Sequence, residues 1–141
     1  MKRMRDGSYT IKPKFKLPSH ELLPDLLAAR AEAHPDQVVI ETRSSVGASR
    51  KITASELQRQ VEYTACGLIG LGVKSGHAVA ILAPTSYEWL LLDLALLSIG
   101  AITVPIYESD SASQIEHILN DAHVTRVFTA PTQQAELVPP V

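Results

Sequence analysis

The chain is poor in the residues that build covalent or metal-held folds. Its 141 residues include one cysteine, Cys66, so it has no internal disulfide framework and cannot supply a cysteine-based zinc site. No charged-then-apolar signal peptide opens it, and no internal repeat or low-complexity tract runs through it. Walker-type phosphate loops and glycine-flanked nucleophilic serines are also missing from the sequence. What is there is 45% hydrophobic and 20% charged. That balance excludes a disordered or collagen-like chain. The length suits one domain, burying roughly 70% of its unfolded surface. A soluble, intracellular domain is the expectation.

The net charge of −2 hides an asymmetry. Lys2, Arg3, Arg5, Lys12, Lys14 and Lys16 face one acid, Asp6, within the first sixteen residues; the remainder holds seven of the thirteen basic groups and fourteen of the fifteen acids. A basic arm can approach nucleic acid or an anionic membrane. Residues 1–18, without periodicity and with Pro13 and Pro18, read more simply as a solvated, flexible arm. The acidic remainder argues against nucleic acid, whose phosphates it would repel.

Hydrophobic spacing then predicts an alternation of helices and strands from residue 19 to residue 141. Leu22, Leu26, Ala29 and Ala33 share one helix face. Pro24 suits the first turn, and the helix should stop at His34, before Pro35. Val38-Val39-Ile40 and Arg50-Lys51-Ile52, joined through a turn at 44–49 with Gly47, read as a small β-hairpin. Three helix starts carry capping boxes: Thr53 with Glu56, Thr85 with Glu88, and Ser111 with Gln114. Behind the first, Leu57, Val61, Ala65 and Leu68 line a face, and Gly70 or Gly72 supplies a left-handed stop. Behind the third, Ile115, Ile118, Leu119 and Ala122 do the same. The middle helix, from Trp89 to Leu97, is apolar nearly all round and should be packed on several sides.

Between the helices lie Ala78–Leu82, Ile102–Ile106 and Val124–Phe128, short β-rich runs. Continuous apolar strands alternating with helices predict an α/β fold with an open, doubly wound, mainly parallel sheet covered by helices on both faces. Pro105 cannot donate to a ladder, so it should end its strand or face a gap. A rival reading takes Trp89–Ile106, eighteen residues, as a membrane span. Asp93 in its middle would cost about 2.5–3.5 kcal/mol on insertion, and Gly100 and Pro105 fit a helix-to-strand junction better.

The chemistry-bearing residues do not converge. Gly67, Gly70, Gly72 and Gly76 suggest a dinucleotide loop, but they follow a helix and precede a strand, where carbonyls would repel phosphate. They read as a capping turn. Cys66 reads as a small buried hydrophobe without a nearby base. His117 and His123, six apart across a helix end, read as surface residues rather than paired ligands. Asp93 is a candidate general base, although a core carboxylate bonded to a backbone N–H is the plainer reading. Tyr107-Glu108-Ser109-Asp110 follows a strand, where open α/β sheets contact ligands. It serves equally as the loop feeding the Ser111 cap.

Beyond these patterns, a family resemblance is carried by several runs in order. They are Thr53-Ala54-Ser55-Glu56-Leu57, the segment from Leu68 through Gly72, Gly76 and Val79 to Ile81, and Pro84-Thr85-Ser86-Tyr87-Glu88-Trp89. Next come Gly100-Ala101-Ile102-Thr103-Val104-Pro105-Ile106-Tyr107-Glu108-Ser109 and the run from Ser113-Gln114-Ile115 to Asp121. Together they resemble the N-terminal part of the adenylate-forming enzymes, and within these the long-chain fatty-acid–CoA ligases. His77 departs from that pattern, which commonly has Asp there.

The resemblance implies an N-terminal scaffold segment of a longer acid–thiol ligase. Such an enzyme uses ATP, Mg2+ and CoA to form an acyl-adenylate and then a thioester. The family's phosphate loop, its aromatic-Gly and Thr-Gly-Asp motifs and its C-terminal lysine are missing from the sequence. No catalytic, cofactor-binding or metal-ligating residue is therefore assigned, and the chain alone is expected to be inactive and to bind none of these groups. Its expected partners are the rest of its own polypeptide and, through the whole enzyme, a fatty acid. A homodimer contact and peripheral membrane contact through the arm, in a cytoplasmic setting, are further expectations. The competing reading is a stand-alone flavodoxin-like binding module.

Overall fold

The computed structural model describes residues 2–3, 6–10, 22–43, 49–130 and 138. At the start, β1 (Lys2–Arg3) and β2 (Tyr9–Thr10) pair antiparallel, with Lys2 opposite Thr10. Gly7 turns the chain at φ +87°, and the Asp6 carboxylate accepts from the Ser8 N–H at 2.9 Å and hydroxyl at 2.7 Å. Where the sequence reading had an arm with no element, the structure forms this two-residue ladder. It is too short to leave an alternating signature. Residues 1, 4, 5 and 11–18 of that arm lie outside the described residues.

Helix α1 (Leu23–Ala33) has Pro24 in its first turn and ends at His34, as its spacing predicts. The face it buries is different. Leu27 packs against the core and Pro24 and Ala31 are half-buried, while Leu22, Leu26, Ala29 and Ala33 are exposed. Strands β3 (Val38–Arg43) and β4 (Ser49–Thr53) form the hairpin, Ile40 opposite Ile52, with a register shift between Val38 and Ile40. Ile52, fully buried, anchors it. Its turn, 44–48, lies outside the described residues.

Helix α2 (Ala54–Gly70) buries Leu57, Val61, Ala65 and Leu68, the predicted face. It stops at Gly72, φ +84°, where the Val73 N–H reaches the Leu68 carbonyl and the Gly72 N–H the Ile69 carbonyl, at 3.0 and 2.9 Å. These two bonds satisfy carbonyls the helix would otherwise leave open. Next come β5 (Ala78–Leu82), α3 (Tyr87–Ser98), β6 (Ile102–Ile106), α4 (Ala112–Asp121) and β7 (Val124–Thr129). Helix α3 ends at Ile99 and Gly100, which separates it from β6. Among the described residues no helix is long and apolar enough to cross a membrane.

Two of the three predicted caps sit where expected. The Thr53 hydroxyl accepts from the Glu56 N–H at 3.2 Å, but the Glu56 carboxylate turns to Arg50 and not to its own box. Ser111 and Gln114 form the full reciprocal box. For α3 the cap moves by one residue: Ser86, not Thr85, accepts from the Trp89 N–H at 3.1 Å. The Glu three residues after Thr85 pointed to that hydroxyl, but the neighbouring Ser86 takes the cap.

The three parallel strands stand in the order β6-β5-β7, with Ala80 opposite both Val104 and Val127. The chain leaves β5 through α3 to β6, then returns across β5 through α4 to β7. Right-handed crossovers in opposite directions place the two helices on opposite faces. The packing shows this directly. Val79 and Ile81 join α2 and α3 in one cluster, and Ala78, Ala80 and Leu82 join Ile115 and Leu119 of α4 in another. All five β5 residues are buried, as befits the centre of a sheet covered on both sides. Pro105 is exposed near the end of edge strand β6, where its missing N–H costs little.

Candidate functional site

Open α/β sheets bind ligands beyond the carboxyl ends of the strands, where successive crossovers part. Here that place lies past Leu82 and Thr129. A crevice of about 330 Å³ opens there, lined by Ile81, Ala83, Pro84, Trp89 and Phe128 with Ser86, Glu88 and Thr129 at its polar edge. The Ser86 hydroxyl already caps α3. The crevice is thus an apolar ledge with no nucleophile–base pair.

A larger cleft, about 670 Å³, runs between the hairpin and the start of α3, bordered by Glu41, Arg43, Arg50, Thr85, Tyr87 and Glu88. Behind it four side chains from β4, α2 and α3 close a ring. Arg50 pairs with Glu56 at 2.5 Å, and the Gln60 amide donates to the same carboxylate oxygen at 3.1 Å. The Tyr87 hydroxyl donates to Gln60 Oε1 at 2.8 Å, and the Arg50 guanidinium lies 5.9 Å from the Tyr87 ring centroid. Burial pushes the Tyr87 phenol above its ordinary value, with Arg50 opposing and Glu56 and Glu88 reinforcing the shift. The phenol is therefore kept protonated and available as a donor. Each of the four side chains is joined to another, so the ring clasps the hairpin to the helical layer. Sequence spacing did not reveal it, because Arg50, Glu56, Gln60 and Tyr87 meet only once the hairpin folds back.

The residues weighed in the sequence are scattered. Cys66 is exposed, a correction to the buried reading: it lies one residue round α2 from the inner line Leu57–Val61–Ala65–Leu68. Asp93 is also corrected. It is half-buried, makes no hydrogen bond or ion pair among the described residues, and has no base partner. His117 and His123 are exposed, as read, and His123 takes a left-handed φ of +50° at the end of α4. In the loop after β6 the Tyr107 N–H donates to Asp110 Oδ2 and the Asp110 N–H to the Tyr107 carbonyl, both at 3.1 Å. That loop presents the Ser111 cap. The glycines after α2 form the capping turn.

Among the described residues no set of three His, Cys, Asp or Glu side chains is placed to hold a metal ion. The glycine-rich turn presents helix-end carbonyls, which repel phosphate.

The β6-β5-β7 sheet, helices on both faces and antiparallel hairpin in front define the N-terminal subdomain architecture of adenylate-forming proteins. The Klebsiella oxytoca NpsA N-terminal subdomain, solved with anthranilyl-AMSN, superposes with a TM-score of 0.72 at 28% identity, covering 84% of this chain and 29% of that one. A fatty acid AMP ligase from Legionella pneumophila shares the fold at a TM-score of 0.68 and 21% identity, over 77% of this chain and 19% of its own. The chain belongs to the AMP-binding enzyme family, whose model matches residues 27–140. Among curated relatives, the long-chain-fatty-acid–CoA ligase FadD15 of Mycobacterium bovis is 36% identical over 124 residues, 88% of this chain. The chain spans 20% of that relative's length.

Proposed function

We propose that the chain is the N-terminal scaffold of an ATP-dependent fatty-acid–CoA ligase of long-chain type. In that enzyme a carboxylic acid is activated as its adenylate and then joined to the thiol of CoA, with ATP, Mg2+ and CoA held by residues outside this segment. The 36% identity to a long-chain-fatty-acid–CoA ligase, sustained over 88% of the chain, carries the reading. The packing of the segment supports a mechanical role. The β5 strand, buried on both faces, and the Arg50–Glu56–Gln60–Tyr87 ring lock sheet, helices and hairpin together.

ATP–pyrophosphate exchange by the full-length protein, across short, long and aromatic carboxylic acids, tests the assignment. Exchange strongest with long-chain acids is the expected result. Preference for an aromatic or short acid overturns the substrate class. Calorimetric titration of the 141-residue chain with ATP, CoA and palmitate should be flat, and a saturable isotherm would instead make it a binding module in its own right.

A further inference from the structure

The crevice past the carboxyl ends of β5 and β7 is selective by its lining. Ile81, Ala83, Pro84, Trp89 and Phe128 face it with carbon. Ala83, Trp89 and Phe128 also pack, half-buried, against the core on the α2–α3 face of the sheet. The apolar surface is therefore formed before anything enters it. At the edge, the Ser86 hydroxyl is taken up by the α3 cap, and Glu88 stands exposed. Among the described residues no cationic side chain lines the crevice. A ligand carboxylate or phosphate there would meet Glu88 with no counter-charge. Hydrocarbon fits, and an anionic head group does not.

The following chain leads elsewhere. Ala130 borders the crevice, and the next described residue, Val138, packs with the α4 cluster of Ile115 and Leu119 on the opposite face. Size narrows the occupant further. At about 330 Å³ the crevice lies at the low end of small-molecule pockets, roughly 300–1,000 Å³. It has room for a stretch of alkyl chain and none for a nucleotide besides.

We infer that this crevice receives the methyl end of the acyl chain, so that Trp89, Phe128 and Ala83 take part in reading chain length. The inference deepens, and rests on, the reading of the chain as part of a long-chain fatty-acid–CoA ligase. The reacting carboxyl then lies away from Glu88, against residues outside this segment. A short acid held by the same head falls short of the crevice, whereas a long one buries its last methylenes there. A tail contact without its head site is too weak to hold a fatty acid on the 141-residue chain alone.

Two measurements on the full-length enzyme test this. Hexadecanoic acid carrying a diazirine at its methyl end should, on irradiation, label the peptides that contain Trp89 and Phe128. The analogue with the diazirine beside the carboxyl should leave them unlabelled. Ala83→Leu, which narrows the crevice, should lower kcat/KM for hexadecanoate at least about tenfold and leave that for octanoate within about twofold. Label confined to other peptides overturns the inference. So does an equal loss on both acids in a variant that melts like the native enzyme, the result expected where polypeptide fills the crevice, and so does no change on either. The ligase reading fails by a different result: a native enzyme without ATP–pyrophosphate exchange on any carboxylic acid removes that assignment, whichever peptides are labelled.

Discussion

Gly100 sits at φ +73°, and a Cβ built there would lie 2.7 Å from the Ser75 hydroxyl. Its carbonyl accepts from the Gly76 N–H at 2.8 Å, which ties the entry of β5 to that of β6. Gly100→Ala should therefore destabilise the chain by about 1–3 kcal/mol in urea unfolding, through both strain and contact. Adding Ser75→Gly should restore only the contact part, so the double variant remains below the native protein. Tyr87 gives a pH-dependent prediction. Its phenol titrates higher folded than unfolded, chiefly through burial. The stabilisation is therefore complete below the unfolded value near 10 and fades as pH rises through the folded value. Tyr87→Phe should lower stability at neutral pH, since Gln60 Oε1 loses its donor, and should flatten the decline above pH 10 in pH-dependent melts. Of the single residues weighed from the sequence, Cys66 was legible in principle. Its position about 145° from the centre of the buried line of α2 already places it off the core. Asp93 was not, because a helix apolar all round carries no phase from which to read direction.

Helix starts test how local the folding code is. Ser86 and Thr85 are adjacent and both able to cap, yet only the Ser86 hydroxyl accepts from α3. Ser86→Ala should cost about 1 kcal/mol, while Thr85→Ala should stay within about 0.5 kcal/mol, both read as shifts in denaturant midpoint. Helix stops follow the same logic in three variants. Gly72 and Gly100 hold left-handed positions after α2 and α3, and His123 takes that position after α4. The first two are visible as glycines, whereas a left-handed histidine leaves no compositional trace. Helix α1 shows the deeper limit of periodicity. The spacing Leu22–Leu26–Ala29–Ala33 finds a real apolar stripe, and the fold turns the opposite stripe, through Leu27, to the core. Two stripes of similar strength cannot be ranked without knowing what each will meet.

Each face of the parallel sheet is covered by its own set of helices. The β5 side chains Val79 and Ile81 face α2 and α3, whereas α4 packs on Ala78, Ala80 and Leu82 of the other. Ile115, fully buried, is thus central to the second layer. Ile115→Ala should destabilise the chain by about 2–5 kcal/mol, measured by chemical denaturation, because few neighbouring side chains can move in to fill the space. The edges of this sheet follow from its connectivity. With β5 central, β6 and β7 are both flanks, and Pro105 lies on one of them, where a strand tolerates a missing donor.

The sequence by itself determined the elements: where helices begin at Thr53 and Ser111, where α2 ends, and that three continuous apolar strands alternate with helices. Those are short-range properties, set by capping, glycine stereochemistry and side-chain spacing. With the rule of right-handed crossovers they also determined that the sheet is parallel and covered on both faces. Only the tertiary structure decided which stripe of α1 turns inward, that Asp93 finds no hydrogen-bond partner among the described residues, and that Arg50, Glu56, Gln60 and Tyr87 close into one ring. Each depends on surfaces brought together from distant parts of the chain. Burial is settled by what stands opposite a side chain, and spacing along one helix carries no record of it.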